Sequence, residues 1–166
     1  MKRLALGVAI LAVIAGTAFA ADDADFAQRF RVGDWALYRI MGVDGYRQRH
    51  FITAIDGVGE DAVVTFAVVN IVKGKEQGKP VEFRKTIAEL RDDDKKTMAK
   101  VSRKEMVKVG SREIEADVVV EAKDGKEFTY YGSNTVPVNG VIRMQEKGKP
   151  PTSELIDFGR GEEPGK

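Results

Sequence analysis

The chain has 166 residues, with 27 Lys and Arg against 26 Asp and Glu, one histidine and no cysteine. A charge so nearly balanced lacks the concentrated excess of cations that general nucleic-acid binding requires. The missing cysteines exclude disulfides, thiolate metal sites, cysteine nucleophiles and lipid attachment at a cleavage-site thiol.

Residues 1–20 read as a secretory signal peptide. Lys2 and Arg3 precede the apolar run from Leu4 to Ala15, and Ala18-Phe19-Ala20 supplies a small-x-small cleavage site. The run is shorter than the roughly 20 apolar residues of a spanning helix, so cleavage before Ala21 is expected rather than retention as an anchor. After cleavage no apolar run reaches membrane-spanning length. The expected product is a soluble protein of the periplasm or the cell exterior, stable on its core alone.

The N-terminal segment 21–33 carries Phe26 and Phe30 four apart, on one face of a short helix that Asp22 or Asp23 can cap, or as two rings on a frayed end. A single β domain is expected over 34–159. DWALYRIM alternates in strand style, Gly42–Gly45 turns the chain, and YRQRHFITAID resumes it. AVVTFAVVNIV (62–72) is apolar on both faces, as in a central strand. KGKEQGKP reads as a long polar loop and VEFRKTIAEL (81–90) as the next strand. RDDDKKTMAKVSRK (91–104) reads as a loop or an exposed helix capped by Asp92 or Asp93.

EMVKV and REIEADVVVEA follow, joined at Gly110-Ser111. Glycine first in a two-residue turn suits type II′ geometry and sets Lys108 opposite Glu113 and Val107 opposite Ile114. At the next turn a three-residue loop, Lys123-Asp124-Gly125, keeps polar and apolar faces separate. It pairs Val120 with Phe128 and Val118 with Tyr130, and leaves Tyr131 off the core face. Ile114, Ala116, Val118, Val120, Phe128 and Tyr130 are then expected in the core. YYGSNTVPVNGVIRMQ reads as a corner between strands, with Pro137 at a strand start or bulge and Gly140 allowing a bend. One more strand spans Glu154 to Phe158, and 160–166 reads as a disordered tail. The fold class expected is all-β with minor α: one strongly curved antiparallel meander of about eight strands, as a barrel, half-barrel or sandwich.

Catalytic signatures are sparse. His50 lies in a strand without a nucleophile or a second imidazole in view, and reads as a structural or surface residue. GKEQGKP has the wrong glycine spacing for a phosphate loop, and no serine sits in a nucleophile elbow. Glu113, Glu115, Asp117 and Glu121 share one face of one strand, where a solvated row balanced by Lys108 competes with a carboxylate hydrolase site. No metal or cofactor site is expected. The aromatics remain: Trp35, Tyr38, Tyr46 and Tyr131, with Asn134 at the corner, are the candidate ligand-binding residues. Such rings also fill barrel interiors.

The order of VGDWALYR, VKVGSREIEADVVV, YYGSNTVPVNGVIRM and LIDFG resembles that in small exported bacterial β-sheet proteins. More loosely the arrangement is similar to lipoprotein-carrier and lipocalin-like folds, which implies a curved sheet around an apolar cavity and carries over no functional residue. The expected function is a non-enzymatic protein that binds a small apolar ligand or an envelope component. The alternative is a structural or protein-interaction module, with a carboxylate hydrolase third.

Overall fold

A computed structural model of the chain describes residues 23–161. The expected signal peptide, Asp22 and the end of the expected tail lie outside the described residues. The domain is one antiparallel sheet of nine strands, with a 3-10 helix at Asp23–Arg29 before it and one α-helix within it. The strands are β1 (Trp35–Ile40), β2 (Tyr46–Asp56), β3 (Val63–Val72), β4 (Lys75–Thr86), β5 (Val101–Val109), β6 (Arg112–Lys123), β7 (Lys126–Gly132), β8 (Val141–Glu146) and β9 (Pro151–Gly159).

Their spatial order is β4-β3-β2-β1-β9-β8-β7-β6-β5. Two meanders therefore meet where the first strand pairs with the last, and β4 and β5 are left as open edges. The sheet is strongly curled. Arg112 at the start of β6 donates from Nη2 to Asp157 Oδ1 of β9 at 2.9 Å. Three strand spacings, about 14 Å in a flat sheet, separate those two strands. The core likewise gathers Phe66 of β3 with Val107 of β5 and Ile114 of β6. The sheet is curled and open, not closed into a barrel, as in a half-barrel or a sandwich.

β3 matches its sequence pattern: Val64 through Val69 are buried on both faces. The β5–β6 register also follows the sequence, with Lys108 opposite Glu113, Val107 opposite Ile114, and Gly110 at φ +58°. At β6–β7 the structure overturns the expected loop. Glu121 pairs with Phe128 and Lys123 with Lys126, so Asp124-Gly125 is a two-residue turn. Both residues adopt positive φ, 52° and 72°, the type I′ geometry whose twist matches the flanking strands. Turn chemistry outweighs the tidiness of the faces. Tyr131 thereby joins the face of Val118 and is buried, while Val120 is exposed and Phe128 and Tyr130 are half-buried.

Two further expectations change together. Lys73-Gly74 is a tight turn with φ of 51° and 78°, so the supposed polar loop is the start of edge strand β4. That strand ends at Thr86, and α1 (Ile87–Met98) begins three residues before the expected strand end at Leu90. The cap is Thr86, not an aspartate. Its Oγ1 accepts from Glu89 N at 3.1 Å, and Glu89 Oε2 accepts from Thr86 N at 2.8 Å, a complete capping box. Helix α1 bridges the two edges and buries Ile87 and Leu90 in the same core as Phe26, Phe30 and Phe66. Phe26 and Phe30 do share a face, with centroids 5.6 Å apart.

Trp35, the only tryptophan, packs so closely on β9 that a Cβ at Gly159 would stand 2.9 Å from its ring. Thr86→Ala removes one half of the capping box and is expected to lower stability by about 1 kcal/mol, read by urea unfolding followed through Trp35 fluorescence. An unchanged midpoint would show that α1 is held by packing alone.

Candidate functional site

The 133–140 segment is a corner, as Pro137 and Gly140 suggest, but its tip turns inward. Ser133 N donates to Gly140 O at 2.8 Å, closing the loop at its base. Asn139 N donates to Pro137 O at 3.1 Å around Val138, whose φ is 74°. That is the strained, positive-φ form of the γ-turn, built on a β-branched residue that disfavours it. A conformation costing of order 1–3 kcal/mol persists only where its surroundings over-determine it.

Val136 and Val138 sit in the core, and Asn139 reaches the sheet's inner surface. Its Oδ1 accepts from Tyr38 Oη at 2.7 Å and from Val141 N at 3.2 Å. Its Nδ2 lies 3.4 Å from His50 Nδ1. An amide nitrogen only donates, so His50 Nδ1 accepts and Nε2 carries the proton toward Gln48 Oε1 at 3.5 Å. Gln48 Nε2 then donates to Tyr46 Oη at 3.2 Å and Asn70 Oδ1 at 3.1 Å. Six side chains from β1, β2, β3 and the corner thus form one polar chain, every link a hydrogen bond between neutral groups.

Burial lowers the His50 pKa to about 4 and raises that of Tyr38. The imidazole is therefore a weak base, and the phenol keeps its proton. Tyr38, Ile40, Gln48, His50, Asn139, Val141 and Ser153 line a small cleft of about 20 Å³. That is room for a water molecule. The chemistry of this cluster is to lock a strained corner onto a sheet.

A larger space lies outside that corner. Arg112, Glu113, Ile114, Glu115, Ser133, Asn134, Thr135 and Phe158 line an open groove of about 570 Å³, within the size range of small-molecule sites. Ile114 and Phe158 make it partly apolar, while the Ser133 and Thr135 hydroxyls, 3.0 Å apart, give it polar points. Arg112 stacks 4.2 Å over the Phe158 ring and donates to the Phe158 carbonyl at 3.0 Å, holding one wall in place. Glu113 and Glu115 border the groove but are exposed, and Glu115 accepts from Lys104 Nζ at 2.8 Å. Neither has the dry surroundings that general acid catalysis by a carboxyl requires.

The structure disperses the aromatic set expected from sequence. Tyr38 and Tyr46 belong to the polar chain. Trp35 points to the opposite face, in register with Phe51 and Gly159. Tyr131 is buried beneath the Arg143 guanidinium, 4.1 Å from its ring. Only Asn134 borders the groove. Sequence reasoning missed Asn139 and Gln48 because an amide in a strand or loop has no spacing signature; its role depends on what lies across the sheet. Among the described residues no cluster of three metal-ligating side chains occurs, and no helix is long and apolar enough to cross a membrane. Comparison of the chain with protein-family models, curated proteins and solved structures gives no match.

The polar chain has a pH signature. The His50 pKa of about 4 lies below the 6.5 of an unfolded imidazole, so its contribution is complete above pH 6.5 and is lost as the pH falls toward 4. The loss is on the order of 3 kcal/mol. Asp94 on α1 runs the other way. Burial raises it to about 6, Arg29 offsets part of the rise, and Asp117 adds to it. Its contribution is present below about pH 4 and is lost as the pH rises through 6. Relative to the parent, His50→Gln should gain stability as the pH falls from 6.5 to 4, and Asp94→Asn should lose it. Urea unfolding across that range checks both, and a pH-independent difference in either variant sinks the assignment for that residue.

Proposed function

We propose that this is an exported, non-enzymatic binding protein of the bacterial envelope that takes a small, largely apolar ligand, or an exposed segment of an envelope component, in the groove beside the 133–140 corner. The observation carrying this reading is the strained Val138 turn together with the polar chain that holds it. The strain and the buried amide fix the course of Ser133 to Thr135 along the groove, and pre-organised walls reduce the ordering cost of binding. The leader at residues 1–20 supports export to the periplasm or the cell exterior, and the resemblance to exported β-sheet proteins supports a bacterial envelope.

The neutral state of the Tyr38–Asn139–His50 cluster supports a binding role over a catalytic one. Its imidazole is a weak base, and its phenol is held protonated by burial. A second reading, an interaction module, is favoured by one specific feature. The edge strand β4 is exposed along most of its length, and unpaired edges accept an added strand.

Native mass spectrometry of the protein recovered after export tests the groove. A small-molecule adduct is expected on the parent and not on Thr135→Trp, a substitution at an exposed position that fills the groove. Identical adduct-free spectra for both proteins would count against the groove. Co-purification of a stoichiometric polypeptide, lost on introducing a second proline in β4, would favour the edge.

A further inference from the structure

The near-zero net charge of the chain conceals a segregation that the antiparallel topology creates. The β1–β2, β3–β4, β6–β7 and β8–β9 turns all fall at one end of the sheet. Three of the contacts along this end are backbone hydrogen bonds: Lys73 N to Gly45 O at 3.0 Å, Met41 N to Thr152 O at 3.1 Å, and Lys147 N to Glu127 O at 2.8 Å. The turns therefore form one continuous rim. It carries Lys73, Lys75, Lys123, Lys126, Lys147 and Lys149, in or beside the tips.

Arg39 and Arg47 stand directly opposite one another just below the β1–β2 turn, and both are exposed. Glu154 of β9 stands opposite Arg39 on its other side, which offsets part of this like-charge repulsion. Over 39–47, 71–76, 122–127 and 145–152 there are eight basic residues and five acidic ones. Lys147 reaches the exposed Glu127 at 3.1 Å, and Lys126 and Lys149 reach the half-buried Glu146 at 3.9 and 2.8 Å; the lysine ends of all three pairs are exposed, and such pairs are weak.

At the crest of this rim the turn between the arginines exposes two apolar side chains, Met41 at 40% and Val43 at 46%. The opposite end also exposes apolar side chains, Val58 at 90% among them. There, however, Val58 sits in the turn that carries Asp56, Glu60 and Asp61. Apolar tips alone do not distinguish the two ends; the charge of the turn that bears them does.

We propose that the lysine-bearing rim docks peripherally on an anionic phospholipid surface, with Met41 and Val43 entering the headgroup layer and the flanking cations meeting lipid phosphates. The pairing of exposed apolar tips with surrounding cations is what a headgroup–acyl boundary recognises. A soluble polyanion would use the lysines and leave Met41 and Val43 idle. The rim is distinct from the groove, so the two readings stand or fall separately.

Vesicle co-sedimentation of the protein recovered after export, with its leader removed, tests this. Binding is expected to vesicles of phosphatidylcholine containing about a third phosphatidylglycerol, and not to phosphatidylcholine alone. It should weaken as salt rises from about 0.05 to about 0.5 M. Lys73→Glu and Lys147→Glu should each cost at least about fivefold in affinity. Met41→Gln combined with Val43→Asn, which removes the apolar tips without changing charge, should cost about tenfold or more while leaving heparin binding unchanged. Val58→Asp, at the other end, should change nothing. No sedimentation with the anionic vesicles at low salt overturns the proposal. So does vesicle binding that is indifferent to the Met41 and Val43 substitutions, which would mark the rim as a general polyanion site.

Discussion

The pairing of β1 with β9 is the constraint on which the architecture rests. It joins residues more than a hundred positions apart, Trp35 with Gly159 and Ile40 with Ser153, and without it the chain is two separate meanders. Closing so long a loop has an entropic cost recovered only when both halves are in place, so this pairing belongs to the slow, cooperative part of folding. Its local signature is steric: the indole of Trp35 lies where only a glycine at 159 permits it. Once the first and last strands occupy the centre, β4 and β5 must be the edges, and the segment linking them must cross the open side. That is where α1 runs.

The corner at 133–140 is the second consequence. With β8 beside β9 and β9 beside β1, the loop entering β8 passes over Tyr38 and His50. Asn139 satisfies a phenol, an imidazole and a backbone N–H at once, and the gain offsets the unfavourable turn at Val138. A buried polar network is costly when half-satisfied and specific when complete. Here it seats a strained loop in one position and gives the outer groove a fixed wall.

Much of this was legible in the sequence. The all-β class, the buried β3, the β5–β6 register and the existence of a corner at 133–140 follow from periodicity and turn residues. The errors have physical causes. The expected three-residue loop at Lys123-Asp124-Gly125 rests on each face being uniformly polar or apolar. A curled sheet covered in part on both sides makes no such demand, and so Val118 and Val119 are both buried. The helix start was missed although Thr86-Ile87-Ala88-Glu89 spells a capping box, because the preceding alternation was allowed to run on through it.

Residue order sets the local alphabet: which segments are extended, where the chain turns, and that charge sums almost to zero. What those pieces face is set by long-range pairing. Aromatic residues that look alike in sequence were sent to opposite sides of the sheet, Tyr38 inward to Asn139 and Trp35 outward beside Gly159, because one step along a strand reverses the face. Lysines scattered over about eighty residues of chain became one rim because an antiparallel meander brings alternate turns to the same end. Neither outcome is a property of a segment. Both arise from the order in which strands pair, which depends on contacts between residues far apart in the chain.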